Sequence, residues 1–434
     1  MLLKEGVFVL GDRFILKGHI CHAPGADRLV IHENACVVCE GGVCRGIYDQ
    51  LPEAYAGWEV IDCGDRLILP GMADLHIHAS QYAYCGTGMD YELLEWLDKV
   101  TFPEEIRYAD ADYARRAYTI FSDKLKRGAT TRAVIFGTMH AGATLTLMDL
   151  MEQSGIVSLV GKVNMDRNAP DALRERDAAW AAEDTRRFIE EAARRGYRRT
   201  GPIITPRFVP CCTDALLAAL GRLRAEYGLP VQSHLSENPG EVELVRRLQP
   251  EAAFYGDAYD RFGLFGRGGN TVMAHCVYSA PKEVRRIKEN GVWVAHCPSS
   301  NMNIASGIAP IRHYLDMGLR LGLGTDVAGG TSISMFRAVT DAIQVSKLYW
   351  RYHPEARPLT FPEAFHLATR GGGSFFGNVG SFEDGYAFDA LVLDDTAEPT
   401  ARPLPVRDRL ERAFYLELDR DGIVMKFVEG KRIF

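Results

Sequence analysis

Long apolar runs, an excess of basic residues and a secretory start are all missing from this 434-residue sequence. No stretch approaches the about 18 consecutive apolar residues of a transmembrane helix, and residues 1–6 lack the basic start and apolar core of a signal peptide. Lysine and arginine total 50 against 57 aspartate and glutamate, a net charge of −7, so the basic surface of a nucleic-acid-binding protein is not expected. We therefore expect a cytoplasmic protein with a small-molecule substrate and no membrane or nucleic-acid partner.

Cysteine is also sparse, with 10 residues in the chain. That density is too low for a disulfide scaffold, and reduced thiols are expected in the cytoplasm. Cys36 and Cys39 have metal-ligand spacing, with Cys44 nearby, but no second pair completes a tetrahedral site. We interpret these cysteines, and the adjacent Cys211 and Cys212, as packing thiols rather than a structural metal site or a redox device.

Three ranges differ in pattern along the chain. Residues 1–68 contain short strand-like segments separated by turn signals, the first of them at residues 7–10. Residues 69–374 alternate helical stretches with single short strands, which is typical of a parallel α/β fold. Residues 375–434 return to strand-like segments. The sequence therefore predicts a parallel barrel between two β segments, with no internal repeat.

Two histidines close an apolar run at residues 70–79, PGMADLHIHA. Alternate side chains of a strand share one face, so His76 and His78 would point the same way and could hold one metal ion. The alternative is a pair of histidines on a polar strand face. A His-x-His pair alone does not decide between them.

Further candidate ligands follow other strand-like segments. His234, His275 and Asp326 end the segments 231–234, 272–275 and 321–326. Each of them taken singly is more typical of a structural residue, and Asp326 could be a helix cap. A (β/α)8 barrel, however, collects functional groups from distant parts of the chain at the carboxyl ends of its strands. Together with the His-x-His pair, these residues predict one shared metal site.

On these residues the sequence resembles the amidohydrolase superfamily and, within it, the guanine deaminase family. The His-x-His and the late aspartate are shared by the whole superfamily, and other segments narrow the match. The segments are HIHASQY at 76–82, LLEWL at 93–97, TFP at 101–103, TPRF at 205–208, QSHLSEN at 232–238 and GLGTDVAGG at 322–330. The resemblance implies an α/β fold in which a (β/α)8 TIM barrel, residues 69–374, adjoins a small β-sandwich formed by residues 1–68 and 375–434.

The resemblance also implies a set of site residues. It assigns one zinc ion per chain, which iron could replace, to His76, His78, His234, His275 and Asp326. Glu237 is then the general acid/base, although without the resemblance a surface glutamate capping the next helix is favoured. Asp326 is both a ligand and a proton acceptor, and both carboxylates touch the substrate. Gln81 and Arg207 contact the purine, and Phe208 forms an aromatic wall beside it.

The expected reaction is hydrolytic deamination of guanine at C2, which releases xanthine and ammonia. The alternatives are a related deaminase acting on 8-oxoguanine, a pterin, cytosine or a triazine, and an inactive scaffold of the same fold. The resemblance further implies a homodimer. Trp96 either lines the pocket or belongs to the core, and His296 is expected beside the site rather than as a sixth ligand. Residues 80–105 are the candidate for a lid.

Overall fold

The structure, a computed structural model, describes residues 11–434. The strand-like segment at residues 7–10 lies outside this range. In chain order the strands are β1 (Arg13–Gly25), β2 (Arg28–Glu40), β3 (Val43–Tyr48), β4 (Glu59–Pro70), β5 (Met72–His78), β6 (Thr130–Phe136), β7 (Val157–Gly161), β8 (Val163–Asn164), β9 (Thr200–Pro202), β10 (Thr205–Pro206), β11 (Val231–Leu235), β12 (Thr271–His275), β13 (Trp293–His296), β14 (Arg320–Leu323), β15 (Ala390–Leu393), β16 (Ile423–Val428) and β17 (Lys431–Arg432).

Helices follow most of the central strands. The α-helices are α1 (Leu93–Trp96), α2 (Phe102–Ile106), α3 (Ala111–Arg127), α4 (Ala141–Ser154), α5 (Ala178–Arg195), α6 (Asp214–Tyr227), α7 (Pro239–Leu248), α8 (Asp257–Asp260), α9 (Pro281–Asn290), α10 (Pro298–Asn303), α11 (Ile311–Asp316), α12 (Met335–Tyr352), α13 (Phe361–His366) and α14 (Val406–Tyr415). Two π-helical turns, at Leu97–Thr101 and Leu367–Gly371, continue α1 and α13. Single 3-10 turns include Ala79–Tyr84, directly after β5.

Helix α3 shows how the sequence sets these elements. It begins at Asp110, whose carboxylate accepts the backbone N–H groups of residues 112 and 113. Its buried residues, which include Tyr118 and Leu125, recur every three or four positions and face the barrel. Basic side chains occupy its last turn, where the helix dipole favours positive charge. The helix therefore has one apolar face against the strands and one solvated face.

Eight parallel strands form the central sheet in the order β11-β12-β13-β14-β5-β6-β7-β9. A parallel bridge between Ile204 and Val231 joins the β9 end of the sheet to β11 and closes it into a barrel. Strands β5, β6 and β12 are buried along their whole length, as expected when helices cover the outside of a parallel barrel. The prediction of a (β/α)8 barrel is confirmed.

The two ends of the chain share a second sheet, in the order β17-β16-β15-β4-β1-β2-β3. Strands β1 and β16 are three positions apart, which would separate them by about 14 Å in a flat sheet. The rings of Phe14 on β1 and Phe427 on β16 nevertheless stack with centroids 5.3 Å apart. The sheet therefore folds over its own apolar core, as a sandwich does. Strand β4 ends at Pro70 and the first barrel strand begins at Met72; the three-range division itself stays a prediction.

Buried ion pairs attach this sheet to the barrel. Arg132 on β6 binds both carboxylate oxygens of Asp389, at 2.7 and 3.1 Å, and also pairs with Glu429. Lys426 on β16 donates to three carbonyl oxygens at the end of α3. The small sheet and the barrel are therefore linked by buried charge as well as by apolar packing.

The structure of residues 11–434 also bears on the expectations about cysteines and about membrane-spanning helices. All ten cysteines are free thiols, and Cys39 lies opposite Cys44 across the β2–β3 pair. None of the helices in this range combines the length and the apolar character that crossing a bilayer requires.

Candidate active site

Strand β5 brings two histidines to one point. His76 and His78 lie two residues apart, so their side chains leave the strand on the same face. Both are buried, and their Nε2 atoms are 3.2 Å apart. The ring of Phe136, at the end of β6, packs against both imidazoles with centroids 5.1 and 4.5 Å away. The arrangement has the geometry that the His-x-His spacing predicts.

Three further donors converge on these nitrogens from other strands. Nε2 of His234, on β11, lies 3.2 Å from Nε2 of His78. Oδ1 of Asp326, which follows β14, lies 3.1 Å from Nε2 of His76 and 3.4 Å from Nε2 of His78. His275 ends β12, and its Nε2 lies 3.6 Å from Oδ2 of Asp326. The structure therefore brings all five candidate ligands together inside the barrel mouth.

Hydrogen bonds behind the histidines fix which ring nitrogen faces this cluster. Nδ1 of His234 lies 2.6 Å from the carbonyl oxygen of Arg207, which can only accept, so the proton is on Nδ1. Nδ1 of His275 similarly donates to Oδ1 of Asn301 at 2.8 Å, and its buried Nε2 has no hydrogen-bond partner within residues 11–434. Imidazoles in metal sites are oriented in this way. The Nε2 lone pairs of these histidines therefore face the cluster beside the Asp326 carboxylate, and such a set of nitrogen and oxygen donors fits zinc.

The charges in the cluster also suit a cation. Burial lowers the pKa of His234 well below its ordinary value, and His76 and His78 lower it further. Burial raises the pKa of Asp326, but the histidines around it outweigh burial and hold that pKa well below its usual range. At neutral pH the His234 imidazole is therefore neutral and the Asp326 carboxylate is ionised, which are the protonation states that metal binding requires of these two groups.

Asp74 holds two of these ligand segments in place from below. Its Oδ1 accepts the backbone N–H groups of His76 at 3.2 Å and Thr325 at 3.1 Å, and its Oδ2 accepts the Thr325 hydroxyl at 2.5 Å. Thr325 directly precedes Asp326, whose backbone has a φ of +48°. That left-handed conformation is costly for a residue with a side chain and persists only where neighbouring contacts enforce it. Asp74 therefore ties β5 to the turn that presents Asp326.

Glu237 is buried at the edge of the cluster and does not cap the next helix. That cap is Asn238, whose side chain accepts the Gly240 N–H at 2.9 Å. Oε2 of Glu237 lies 3.3 Å from Nε2 of His275, and Oε1 accepts the Ser306 hydroxyl at 3.1 Å. Burial raises the pKa of Glu237 well above its ordinary value, and nearby carboxylates add to the effect. The carboxyl group can thus hold a proton at neutral pH and deliver it, as a general acid does.

A small cavity that opens to solvent adjoins the donors. Polar groups from the cluster form one side, and apolar residues of the segment after β5 form the other. It is lined by His78, Gln81, Leu93, Trp96, Leu97, Arg207, Phe208, His234, Glu237, His275, Ser300, Ile304, Asp326 and Gly329. All five residues expected to contact a substrate, Gln81, Arg207, Phe208, Glu237 and Asp326, therefore line one space together with three of the histidines.

Other residues of the site did not emerge from the sequence. Glu105 is buried beside Gln81 and Arg207, and Glu241 accepts the backbone N–H of Glu237 at 2.8 Å. Asp74 had a signal, because it precedes His76 at the same alternate spacing that joins His76 to His78. Glu241 had one as well, because it stands three residues after Asn238 in the pattern of a helix capping box. Glu105 had none, since its contacts with Gln81 and Arg207 join separate elements.

Trp96 and His296 are both buried near the site. Trp96 lines the cavity, in agreement with one of the two interpretations of that residue. His296 ends β13 and is not among the cavity-lining residues, and neither ring nitrogen has a hydrogen-bond partner within residues 11–434. It does not belong to the five-donor group.

Known proteins match this chain over most of its length. Residues 67–433 match the amidohydrolase family. The guanine deaminase of Mus musculus is 38% identical over 379 residues, which cover 85% of this chain and 83% of that protein. The guanine deaminase of Escherichia coli (strain K12) is 34% identical over 394 residues, with 89% and 86% coverage.

A solved structure agrees with the described fold. The crystal structure of guanine deaminase from C. acetobutylicum with bound guanine in the active site is 43% identical and superposes with a TM-score of 0.94. The alignment covers 97% of this chain and 100% of that one. The range matched by the family, 67–433, contains every residue of the site described above.

Proposed function

Because the chain belongs to the amidohydrolase family and, within it, to the guanine deaminases, we propose that it hydrolyses guanine at C2, producing xanthine and ammonia. One observation carries the proposal: a single cavity is lined by metal-ligand candidates, by the proton-holding Glu237 and by Arg207. The similar protein from C. acetobutylicum has guanine bound in its active site. A guanine molecule in this cavity would therefore have water-activating, proton-transferring and base-recognising groups around it.

The donor set supports one zinc ion per chain, and imidazole and carboxylate ligands also accept iron. His76, His78, His234, His275 and Asp326 would hold the ion. When bound, zinc supplies Lewis-acid activation that lowers the pKa of a water molecule from about 15.7 to about 7. Nε2 of His275 has no hydrogen-bond partner within residues 11–434, and His76 lies close to His234 and His275 in one group of donors and to His78 and Asp326 in another; both observations support this assignment.

Two carboxyl groups divide the proton transfers. Asp326 takes a proton from the water molecule as the oxygen bonds to C2 of the base. Glu237 gives its own proton to a ring nitrogen, so that C2 becomes tetrahedral without a buried negative charge on the ring. The proton held by Asp326 then passes to the exocyclic amine, and the C2–N bond breaks as the added oxygen returns its remaining proton to Glu237 and becomes the C2 carbonyl. Ammonia leaves, and both carboxyl groups are restored. General acid/base catalysis of this kind contributes about 10²- to 10⁴-fold to a rate.

Recognition of the base falls to the other wall of the cavity. The guanidinium of Arg207 is a donor-only cation, which matches the acceptor edge formed by O6 and N7 of guanine. Gln81 offers both a donor and an acceptor, and the ring of Phe208 provides an apolar wall. Both carboxylates lie where they can contact the base as well as move protons.

The test is the rate of ammonia release by zinc-replete protein from guanine, with 8-oxoguanine, a pterin, cytosine, a triazine and adenine run in parallel. We expect rapid turnover of guanine alone. Faster turnover of another base, with zinc bound, would retain the reaction type and reassign the substrate. No turnover of any base would point to an inactive scaffold. Glu237→Gln is the matched variant, because it keeps the shape and removes the transferable proton.

We also propose a homodimer in the cytoplasm, as the family resemblance implies. Light scattering on the purified protein gives the mass in solution, which should be twice the chain mass of 48.2 kDa. Fractionation of the source cells tests the location, and recovery of the enzyme with membranes would contradict it.

A further inference from the structure

A buried carboxylate lies behind the two polar side chains that we assign to purine recognition. Glu105, on α2, accepts from Nη1 of Arg207 through Oε2 at 2.6 Å and from Nε2 of Gln81 through Oε1 at 3.4 Å. None of the three residues is more than 3% exposed. Among the described residues, no other carboxylate forms an ion pair with Arg207. Replacing such a buried pair with apolar groups is often neutral for stability, so its presence calls for a functional explanation.

The Gln81 amide has one allowed orientation in this environment. Its Oε1 accepts the backbone N–H of Ala328 at 3.1 Å, while its Nε2 donates to Glu105. A flipped amide would place two donors together at Ala328 and two acceptors together at Glu105. Ala328 and Glu105 together therefore fix which amide atom of Gln81 is directed to each side of the cavity wall.

Two neighbouring side chains fix the Arg207 guanidinium, one at its edge and the other against its flat face. Glu105 binds one of its amino groups, and the ring of Phe102, one turn earlier in the same helical segment, lies 5.1 Å from the guanidinium carbon. A planar guanidinium fixed in this way can turn only by breaking the ion pair. Arg207 lines the cavity, so its remaining N–H groups form a donor array of set direction.

We propose that Glu105 is a positioning residue that sets the specificity of the site for purines with an oxygen at C6. The inference rests on the proposed function, since it concerns the same cavity. A carbonyl oxygen at C6 accepts from the fixed donors of Arg207, whereas a 6-amino group directs its own donors against them. Sites that hold buried donors reject ligands that leave those donors unpaired. Glu105 acts through Arg207 and Gln81 and does not itself touch the base.

Glu105→Gln separates this role from simple packing. The variant keeps the side-chain shape, but its amide has one oxygen and one NH₂ group in place of two acceptors. In the variant, the new NH₂ group must therefore face an N–H donor of either Arg207 or Gln81. Either the arginine leaves its position or the Gln81 amide loses its orientation.

The experiment measures binding rather than turnover. Hypoxanthine carries the C6 oxygen but lacks the 2-amino group, so it cannot be deaminated there; unsubstituted purine lacks both groups. Affinities of zinc-loaded protein for the two bases are compared by calorimetry. We expect Glu105→Gln to reduce the preference for hypoxanthine over purine by about 10- to 100-fold, the size of a lost hydrogen bond to a charged group. Purine affinity and zinc content should stay at the native values.

Glu95→Gln is the matched control, because Glu95 lies in the same helical segment, is exposed and pairs with Lys99 at the surface. It should leave both affinities unchanged. If Glu105→Gln does not fold, Glu105→Asp keeps the negative charge and so avoids a lone buried arginine, but its shorter side chain cannot hold Arg207 and Gln81 in place, and it should lower the same preference. An unchanged preference in whichever of these variants folds overturns the inference alone. Native protein that binds neither hypoxanthine nor guanine overturns the proposed function and the inference with it.

Discussion

Removing the carboxylate of Asp74 should loosen the metal site although Asp74 is not a ligand candidate. Strands β14 and β5 share one register pair, between Leu323 and Asp74, whereas β11 and β12 share five. Beyond that pair, two backbone bonds join β5 to the segment after β14, from Asp326 N–H to the His76 carbonyl at 2.8 Å and from His78 N–H to the Val327 carbonyl at 3.2 Å. The Asp74 carboxylate adds to them by accepting the N–H and the hydroxyl of Thr325. One buried side chain therefore reinforces a short backbone connection between the two segments that deliver His76, His78 and Asp326.

The size of the effect follows from the groups left behind. Asp74→Ala strands two buried backbone N–H groups, each of which costs about 1–3 kcal/mol when unpaired. The loss of unfolding free energy should thus be about 2–6 kcal/mol. Since partners behind a ligand contribute about 10- to 100-fold to metal affinity, zinc affinity should fall by that factor. Asp74→Asn keeps an oxygen for both N–H groups and changes only the contact to the Thr325 hydroxyl, so it should cost about 1 kcal/mol.

The assay is competition for zinc against a chromophoric chelator, with urea unfolding of the same samples. The expected order of zinc affinity is native protein, then Asp74→Asn, then Asp74→Ala. Equal zinc affinity and equal unfolding midpoints for the alanine and asparagine variants would refute the reasoning, because these variants differ in whether the two N–H groups keep an acceptor.

Three further predictions test proton transfer and the attachment of the small sheet. Glu237→Gln should lower kcat for guanine by about 10²- to 10⁴-fold with zinc content unchanged, and near-native kcat would remove Glu237 from the reaction. Arg132→Met leaves the Asp389 carboxylate buried and unpaired, so urea unfolding should show a loss of about 3–5 kcal/mol; a neutral result would mean that the pair is not needed. Lys426→Met strands three carbonyl groups at the end of α3, and amide exchange should accelerate there; unchanged protection would contradict the contact.

The barrel and the convergence of the five donors could be predicted because both depend on local patterns. Strand alternation places His76 and His78 on one face, and parallel strands end at one rim of a barrel. His234, His275 and Asp326 each follow a short apolar segment, so their positions were readable from the chain.

The residues that support the candidate ligands and the recognition residues could not all be predicted in the same way. Glu104 and Glu105 are adjacent and chemically identical, yet Glu105 is buried against Arg207, while Glu104 lies near the surface beside Arg107. Only the direction of α2 relative to the barrel decides between them. Glu241 differs, because it belongs to the capping box at the start of α7 and its contact with the Glu237 backbone is local in sequence. Contacts between separate elements carry no periodic signal in the sequence.

The site therefore has two parts with different supports. Barrel strands, joined by Asp74, hold the metal-ligand candidates, while the helical segment after β5 supplies Trp96, Phe102 and Glu105 to the recognition wall. A segment outside the barrel ladder can change without disturbing the strands. Substitutions of Trp96, Phe102 or Glu105 should accordingly alter which base is accepted while zinc stays bound, and substitutions at Asp74 should weaken zinc binding while the preference among bound bases is kept. Parallel measurement of zinc affinity and base preference in both sets of variants would show whether the two parts are separable.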